Sequence, residues 1–218
     1  MKVVLLDFNG TLFFDTSFHE EAWSKIYREL NENIDDEPES SFYAGPRNDI
    51  IISRMAPWLS EKERWKVSRH KEAIYRKICQ ENPEQVQLVP GATAFLTKLK
   101  EEKIPFTLAT ASIKENIDFY FETFHLERWF LKEECVYDNG TYANKGEMHK
   151  EAARRLGARM EECIVIEDSI SAICHAKENG AGCIIAIGND KTKEKILELG
   201  VDHFVHDFTG IDFSWIKG

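Results

Sequence analysis

The sequence predicts an α/β protein with a doubly wound, mainly parallel sheet and an all-helical domain inserted after the first strand. Two observations carry this prediction. Short apolar runs alternate with helical patterns in the second part of the chain, and a charge-rich stretch without a convincing strand separates the first run from the second. We expect the α/β core at residues 1–14 and 83–218 and the helical domain at residues 15–82.

The elements of the core follow from these patterns in order. Five apolar runs have the length of buried strands, and the helical segments between them keep their apolar residues on one face. Asn139-Gly140, between Val136-Tyr137 and Tyr142, predicts a hairpin turn. The predicted strands are residues 3–6, 106–110, 163–166, 183–187 and 203–205, and the predicted helices are residues 92–103, 147–156 and 170–179.

The stretch between the first two strands predicts helices only. Ser17-x-x-Glu20 has the pattern of a capping box, which would start a helix at that point. Residues 31–40 form a polar linker, and residues 49–59 and 60–80 suggest two more helices. An all-helical insert between two strands of an α/β core is best interpreted as a separate cap domain.

Asp7 is the leading candidate for chemistry. It ends the first apolar run, and a glycine and a threonine follow close behind it. Open α/β sheets bind ligands at the carboxyl ends of their strands, so we favour a functional carboxylate here over one that merely caps a turn. Three further polar motifs follow in order, each at a strand end or a helix start: Thr110, Lys145 and Glu167-Asp168.

These four motifs resemble, in order, those of the haloacid dehalogenase (HAD) superfamily, in the subfamily whose helical cap lies between the first and second motifs. The resemblance covers nearly the whole chain, and β-phosphoglucomutase-like phosphatases are the nearest group. It implies a Rossmann-like core and a Mg²⁺ cofactor, with Asp7, Glu167, Asp168 and the main-chain carbonyl of Asn9 as metal ligands. Oxygen ligands of this kind suit Mg²⁺.

Phosphoryl transfer gives the same residues complementary roles, because it needs an in-line nucleophile, a divalent cation and positive groups around the phosphoryl oxygens. Asp7 would attack phosphorus and form an aspartyl phosphate. Thr110 and Lys145 would hold the phosphoryl group, and Ala111 and Ser112 would contact the substrate beside them. Relatives usually continue after the lysine with Pro-x-Pro-Asp, whereas this chain continues with Gly-Glu-Met-His, which leaves the reach of the lysine less firmly predicted.

Asn9 is the main departure from the family pattern, since phosphatases of this group carry an acid–base aspartate there. An amide forms hydrogen bonds but cannot transfer a proton, so we expect slow turnover of substrates with poor leaving groups. Three explanations stay open. The substrate has a good leaving group, such as an acyl phosphate or a phosphoanhydride; Asn9-Gly10 deamidates, which a tightly packed loop would prevent; or His19, at the start of the cap helix, donates the proton.

Two more residues of the cap are candidates for substrate binding. The segment at residues 43–49 resembles the specificity loop of the family. Within it, Gly45 would allow a ligand to approach closely, and Arg47 could bind a phosphate or carboxylate of the substrate. A plain helix entry explains the same segment equally well.

Composition narrows the range of partners. The net charge of −10 repels phosphate backbones and argues against nucleic acid. Five scattered cysteines, together with the lack of an apolar segment of membrane-spanning length, favour the cytoplasm over a membrane. We expect a small phosphorylated metabolite as substrate and a monomer or weak homodimer. A Mg²⁺-dependent phosphohydrolase is favoured, and the alternatives are a phosphotransferase or mutase and a metabolite-binding protein with weakened catalysis.

Overall fold

The computed structural model describes residues 2–31, 38–39, 42–43 and 48–217. The backbone divides into two compact units. The α/β unit comprises Met1–Phe14 and Gln87–Gly218, and the helical unit comprises Asp15–Val86. The helical unit thus begins at the residue expected from the sequence and ends at Val86 rather than at residue 82.

The helical unit contains three α-helices in its described part, namely α1 (Thr16–Leu30), α2 (Asn48–Met55) and α3 (Glu61–Glu81). Each helix has one apolar face, and these faces pack together into a core of their own. In α1 the buried positions follow the spacing of one helical face, with Trp23, Ile26 and Tyr27 inside. Ile51 and Ile52 of α2 complete the centre of this core.

The start of α1 differs from the predicted capping box. Ser17 is the second residue of α1 rather than its N-cap, because the carbonyl of Asp15 already accepts a hydrogen bond from the backbone N–H of Phe18. A capping box is present instead at the start of α3. There, Ser60 Oγ accepts from the backbone N–H of Glu63, and the Glu63 carboxylate accepts from the backbone N–H of Ser60.

The α/β unit has a single sheet of six parallel strands among the residues that the structure describes. The strands are β1 (Val3–Leu6), β2 (Phe106–Ile113), β3 (Val136–Asp138), β4 (Cys163–Glu167), β5 (Cys183–Ile187) and β6 (His203–Val205). They lie side by side in the order β3-β2-β1-β4-β5-β6. The helices of this unit are α4 (Ala92–Glu101), α5 (Lys114–Phe124), α6 (Lys145–Arg155), α7 (Ile170–Glu178), α8 (Asp190–Glu198) and α9 (Ser214–Lys217).

β1 occupies the middle of the sheet, between β2 and β4. Every residue of β1 and of β4 is buried, as expected for parallel strands covered on both faces. From this centre the chain moves outward through β2 to β3 on one side and through β4 to β6 on the other. The direction therefore reverses between β1 and β4, and the carboxyl edge at such a point is where open α/β sheets bind ligands.

Residues 136–142 form an edge strand and a turn, not the predicted hairpin. Val136–Asp138 is β3, which pairs in parallel with β2. Beyond it, Asn139 Oδ1 accepts a hydrogen bond from the backbone N–H of Thr141, and the chain continues into α6. The asparagine therefore turns the chain through its side chain, and it does not join two antiparallel strands.

The other predicted strands and helices of the α/β unit occur within three residues of their expected ends. Helices α5, α8 and α9 were not predicted. None of the described helices has both the length and the apolar character needed to cross a membrane.

The corrected helix starts can be tested by stability measurements. Ser60→Ala should lower the free energy of unfolding by about 1 kcal/mol, because the backbone N–H of Glu63, at the start of α3, loses its acceptor. Ser17→Ala, at an exposed position within α1, is the matched control and should change it by less than about 0.5 kcal/mol. Urea unfolding followed by circular dichroism measures both values. An equal loss in the two variants would contradict the position of α1 described above.

Candidate active site

Asp7 and Asp168 lie at the carboxyl ends of the two central strands. Asp7 directly follows β1, and its backbone N–H donates to the carbonyl of Ile166 in β4 at 3.1 Å. Asp168 directly follows β4. Carboxylate oxygens of Asp7, Glu167 and Asp168 all lie within 4.8 Å of one another. The parallel pairing of β1 with β4 thus gathers three carboxylates from distant parts of the sequence.

The turn after Asp7 explains why a glycine and a threonine follow it. Gly10 has a φ of +75°, and a Cβ at this position would lie 2.2 Å from Asp168 Oδ2, so only glycine allows the turn to approach that carboxylate. Thr11 is fully buried, and its hydroxyl donates to Asp168 Oδ1 at 3.3 Å. The first motif therefore supplies Asp7 and also shapes the surroundings of Asp168.

Lys145 reaches the same cluster from α6. It is the first residue of that helix, whereas the sequence placed it before the helix, and Asn144 is the N-cap, with Oδ1 accepting from the backbone N–H of Glu147. Lys145 Nζ lies 2.5 Å from Asp7 Oδ1 and 2.9 Å from Glu167 Oε1. The different segment after the lysine therefore does not prevent the ammonium group from reaching the nucleophile candidate.

The close packing of these charges changes their pKa values. Burial and the negative charge of Glu167 raise the pKa of Asp7 to about 6, against the opposing effect of Lys145. For Lys145, burial disfavours the charged form, but the carboxylates of Asp7 and Glu167 outweigh it and raise the pKa above its ordinary range. For Glu167, burial is likewise outweighed by Lys145 and by a hydrogen bond from His149, so its pKa is lowered.

The donor set fits a divalent cation. Three carboxylates meet at this edge, and the Lys145 ammonium group contacts two of them, so negative charge exceeds positive charge in the cluster. Burial is the main cause of the raised pKa of Asp7, and repulsion from the Glu167 carboxylate adds to it. Oxygen donors with surplus negative charge are what hard cations such as Mg²⁺ or Ca²⁺ bind.

Asn9 is held through both atoms of its amide. Its Nδ2 donates to the hydroxyl of Tyr120 at 2.7 Å, and its Oδ1 accepts from the hydroxyl of Ser112. The backbone nitrogen of Gly10, which attacks the side chain during deamidation, donates its hydrogen to the carbonyl of Phe13 at 2.7 Å. This is the tightly packed loop that would prevent deamidation.

The other candidate residues of the α/β unit lie on β2, the second neighbour of β1. Thr110 is buried, and its hydroxyl accepts from the backbone N–H of Ser112 at 3.3 Å. Ala111 is exposed and Ser112 is half-buried near the end of the strand. β2 continues to Ile113, so this motif belongs to the strand itself rather than to a loop after it.

His19, the candidate proton donor, lies in the helical unit. Its Nδ1 lies 2.6 Å from Lys71 Nζ, and its Nε2 lies 3.2 Å from Asp15 Oδ2. Because an ammonium group can only donate, Nδ1 accepts and the ring proton is on Nε2, directed at Asp15. Gly45 and Arg47 fall outside the described residues, so their roles stay predictions.

The family model of the haloacid dehalogenase-like hydrolases matches residues 1–173 of the chain. The chain belongs to this family. The resemblance predicted from the sequence motifs and the predicted fold class are thus both confirmed.

Individual relatives agree with this assignment. A HAD hydrolase of family IA, variant 3, from Entamoeba histolytica is 30% identical, with a TM-score of 0.91 over 99% of this chain and 97% of that one. The β-phosphoglucomutase of Clostridium difficile shares the fold at 19% identity, with a TM-score of 0.76 over 100% and 96% of the two chains. A HAD-like hydrolase domain-containing protein of Arabidopsis thaliana is 26% identical over 148 residues. That match covers 66% of this chain and 43% of the plant protein, so the HAD-like chain spans less than half of this relative.

Two residues of this HAD site were missed by sequence reasoning. Tyr120 is fully buried in the apolar α5, with its ring stacked on Phe8 at 4.1 Å between centroids, and nothing in its surroundings in the sequence sets it apart from core packing. His149 did leave a signal. It follows Lys145 by one helical turn, and residues so spaced share a helix face.

The close approach of Gly10 to Asp168 predicts that one methyl group added at Gly10 will disturb the Asp168 carboxylate. Gly10→Ala should displace the Asp168 carboxylate and weaken Mn²⁺ binding by at least about 10-fold. Gly157→Ala is the matched control, because Gly157 also has a positive φ of +68° but has nothing within 4 Å of the added Cβ. Titration with Mn²⁺, followed by electron paramagnetic resonance (EPR), measures the affinities. Equal affinities in the two variants would contradict the close approach of the turn to Asp168.

Proposed function

We propose that this HAD hydrolase is a Mg²⁺-dependent phosphohydrolase that acts on a small phosphorylated metabolite through an aspartyl phosphate on Asp7. The observation that carries the proposal is the 2.5 Å contact between Lys145 Nζ and Asp7 Oδ1, beside the carboxylates of Glu167 and Asp168. A nucleophile, a cation-binding set and a fixed positive group are the parts that phosphoryl transfer requires.

Asp7 has the role of nucleophile in this proposal. Attack of its carboxylate on phosphorus forms an O–P bond while the bond to the leaving group breaks, and water then cleaves the aspartyl phosphate and restores the carboxylate. Lys145 stabilises negative charge on the phosphoryl oxygens in both steps. Thr110, on the strand next to β1, would hold the same oxygens through its hydroxyl.

The carboxylates of Asp7, Glu167 and Asp168, with the main-chain carbonyl of Asn9, would hold the Mg²⁺ ion. When bound, Mg²⁺ neutralises part of the charge on the transferred phosphoryl group. The excess of carboxylates over the ammonium group that contacts them supports this part of the proposal.

The preferred substrates would have leaving groups that depart without protonation, such as acyl phosphates or phosphoanhydrides. An amide at position 9 has no proton to give, and both of its atoms are engaged by Ser112 and Tyr120. His19 stays a candidate for the donor, although its Nε2 proton is directed at Asp15. Gly45 and Arg47 stay candidates for binding the remainder of the substrate.

The charge and composition of the chain support proposals about its substrate class and its location in the cell. The net charge of −10 supports a small metabolite rather than nucleic acid as substrate. We further propose that the enzyme works in the cytoplasm, away from membranes, as a monomer or weak homodimer.

Replacement of the nucleophile is the first test. Asp7→Asn should lower phosphate release by several orders of magnitude with every substrate, since the amide cannot form the phosphoryl intermediate, and removal of Mg²⁺ with EDTA should do so reversibly. Asp138→Asn, at the end of the edge strand β3, is the control carboxylate and should keep full activity. Full activity of Asp7→Asn would overturn the mechanism.

The chemistry of the leaving group is the second test. Asn9→Asp should raise turnover of an alkyl ester such as glycerol 3-phosphate by about 10²–10⁴-fold, because a group able to transfer a proton is restored. The turnover of acetyl phosphate should change far less. Steady-state phosphate release with both substrates measures this. Equal gains on both substrates would contradict the preference, and a wild-type enzyme inert on every ester and anhydride would favour the metabolite-binding alternative.

A further inference from the structure

His149 is a buried titratable residue that the proposed mechanism does not use. It is 1% exposed and lies one turn after Lys145 on α6. Its Nε2 lies 3.4 Å from Glu167 Oε1, the same oxygen that Lys145 Nζ contacts at 2.9 Å. Glu167 itself is fully buried. Two successive turns of one helix therefore direct a nitrogen at one carboxylate oxygen of the cation-binding cluster.

The hydrogen-bond pattern identifies the ring proton of His149. Its Nδ1 is buried and has no hydrogen-bond partner among the described residues. A proton on Nδ1 would leave a buried N–H without an acceptor and would turn the Nε2 lone pair toward a carboxylate oxygen. The proton therefore lies on Nε2, which donates to Glu167 Oε1.

The helix α6, which carries His149, packs closely against the end of α7. A Cβ at Gly146 would lie 2.9 Å from Asn179 Nδ2 and 3.0 Å from His175 Cβ, so the glycine allows the first turn of α6 to approach the end of α7 closely. Asn179 Nδ2 then donates to the carbonyl of Gly146 at 2.9 Å. The glycine thus allows the helix that carries both Lys145 and His149 to pack closely against α7.

We propose that His149 is a positioning residue of the cation site, which holds the Glu167 carboxylate in the orientation that Lys145 and the metal ion require. The inference rests on the proposed Mg²⁺ site. Glu167 would otherwise be restrained at Oε1 by the flexible lysine side chain, while its Oε2 accepts from the backbone N–H of Asp168 at 3.3 Å. Groups that orient metal-binding carboxylates commonly change metal affinity by about 10–100-fold when removed.

A matched pair of variants separates positioning from packing. Glutamine and methionine have the same length and a similar shape, but only glutamine carries an N–H that can replace His149 Nε2. His149→Met should weaken Mn²⁺ binding by about 10–100-fold, and His149→Gln should restore most of it. His175→Met, at a half-buried histidine of α7 whose Nδ1 also lacks a partner, is the control and should leave the affinity unchanged.

The readout is Mn²⁺ affinity from EPR titration, with Mg²⁺ as competitor, beside urea unfolding of each variant. If His149 positions Glu167, the Mn²⁺ affinity of His149→Met should be lower than that of the variants that carry an N–H group. This should hold even where His149→Met is as stable as wild type. Equal affinities of His149→Met and His149→Gln would overturn it, whatever their stabilities. Nitrogen-15 NMR of the metal-free wild type adds a test that needs no variant to fold, since an Nε2 of His149 that carries no proton would also overturn it.

A failure of the proposed cation site gives a different result from a failure of the proposed role of His149. Asp168→Asn should abolish Mn²⁺ binding if the carboxylate cluster is the cation site. If Asp168→Asn binds Mn²⁺ as tightly as wild type, the cation site is wrong. If that variant loses binding while His149→Met keeps wild-type affinity, only the role of His149 is wrong.

Discussion

The contact of Lys145 with Asp7 and Glu167 is the interaction on which the candidate site depends. Two carboxylates with almost no exposure to solvent lie side by side at the centre of the sheet, and such charges are costly unless an opposite charge and hydrogen bonds accompany them. The ammonium group can do this only because α6 starts at Lys145 and packs closely against α7 through Gly146. The geometry of two helices thus decides whether the carboxylates can be buried.

The sequence predicted the central strands well, because β1, β4 and β5 are short apolar runs buried on both faces. It failed for β3, where three residues carry little pattern and Asn139-Gly140 is a strong local hairpin signal. It also failed at Ser17, since Asp15, whose side chain accepts from Tyr75, starts the helix earlier. These errors arise where tertiary contacts override local preference.

At the candidate site, the surroundings of Asn9 could not be predicted from the sequence either. The sequence indicates the loss of an acid–base group, but not which groups surround the amide in the fold. Ser112 comes from the far end of β2 and Tyr120 from α5. Both hydroxyls meet the amide because β2 pairs with β1 and the Tyr120 ring stacks on Phe8, just after β1. The asparagine is therefore integrated into its surroundings, with a donor matched to one hydroxyl and an acceptor matched to the other.

The central position of β1 also has a consequence for the order of folding. The strand pairs with residues roughly 100 and 160 positions later in the chain. A ribosome must therefore add roughly 160 residues after β1 before both of its neighbours exist. Until then at least one edge of its four apolar residues has no partner strand, and an unpaired apolar strand edge is a site of aggregation during synthesis. The strand that leads to the nucleophile candidate therefore stays incompletely paired through a long stretch of synthesis.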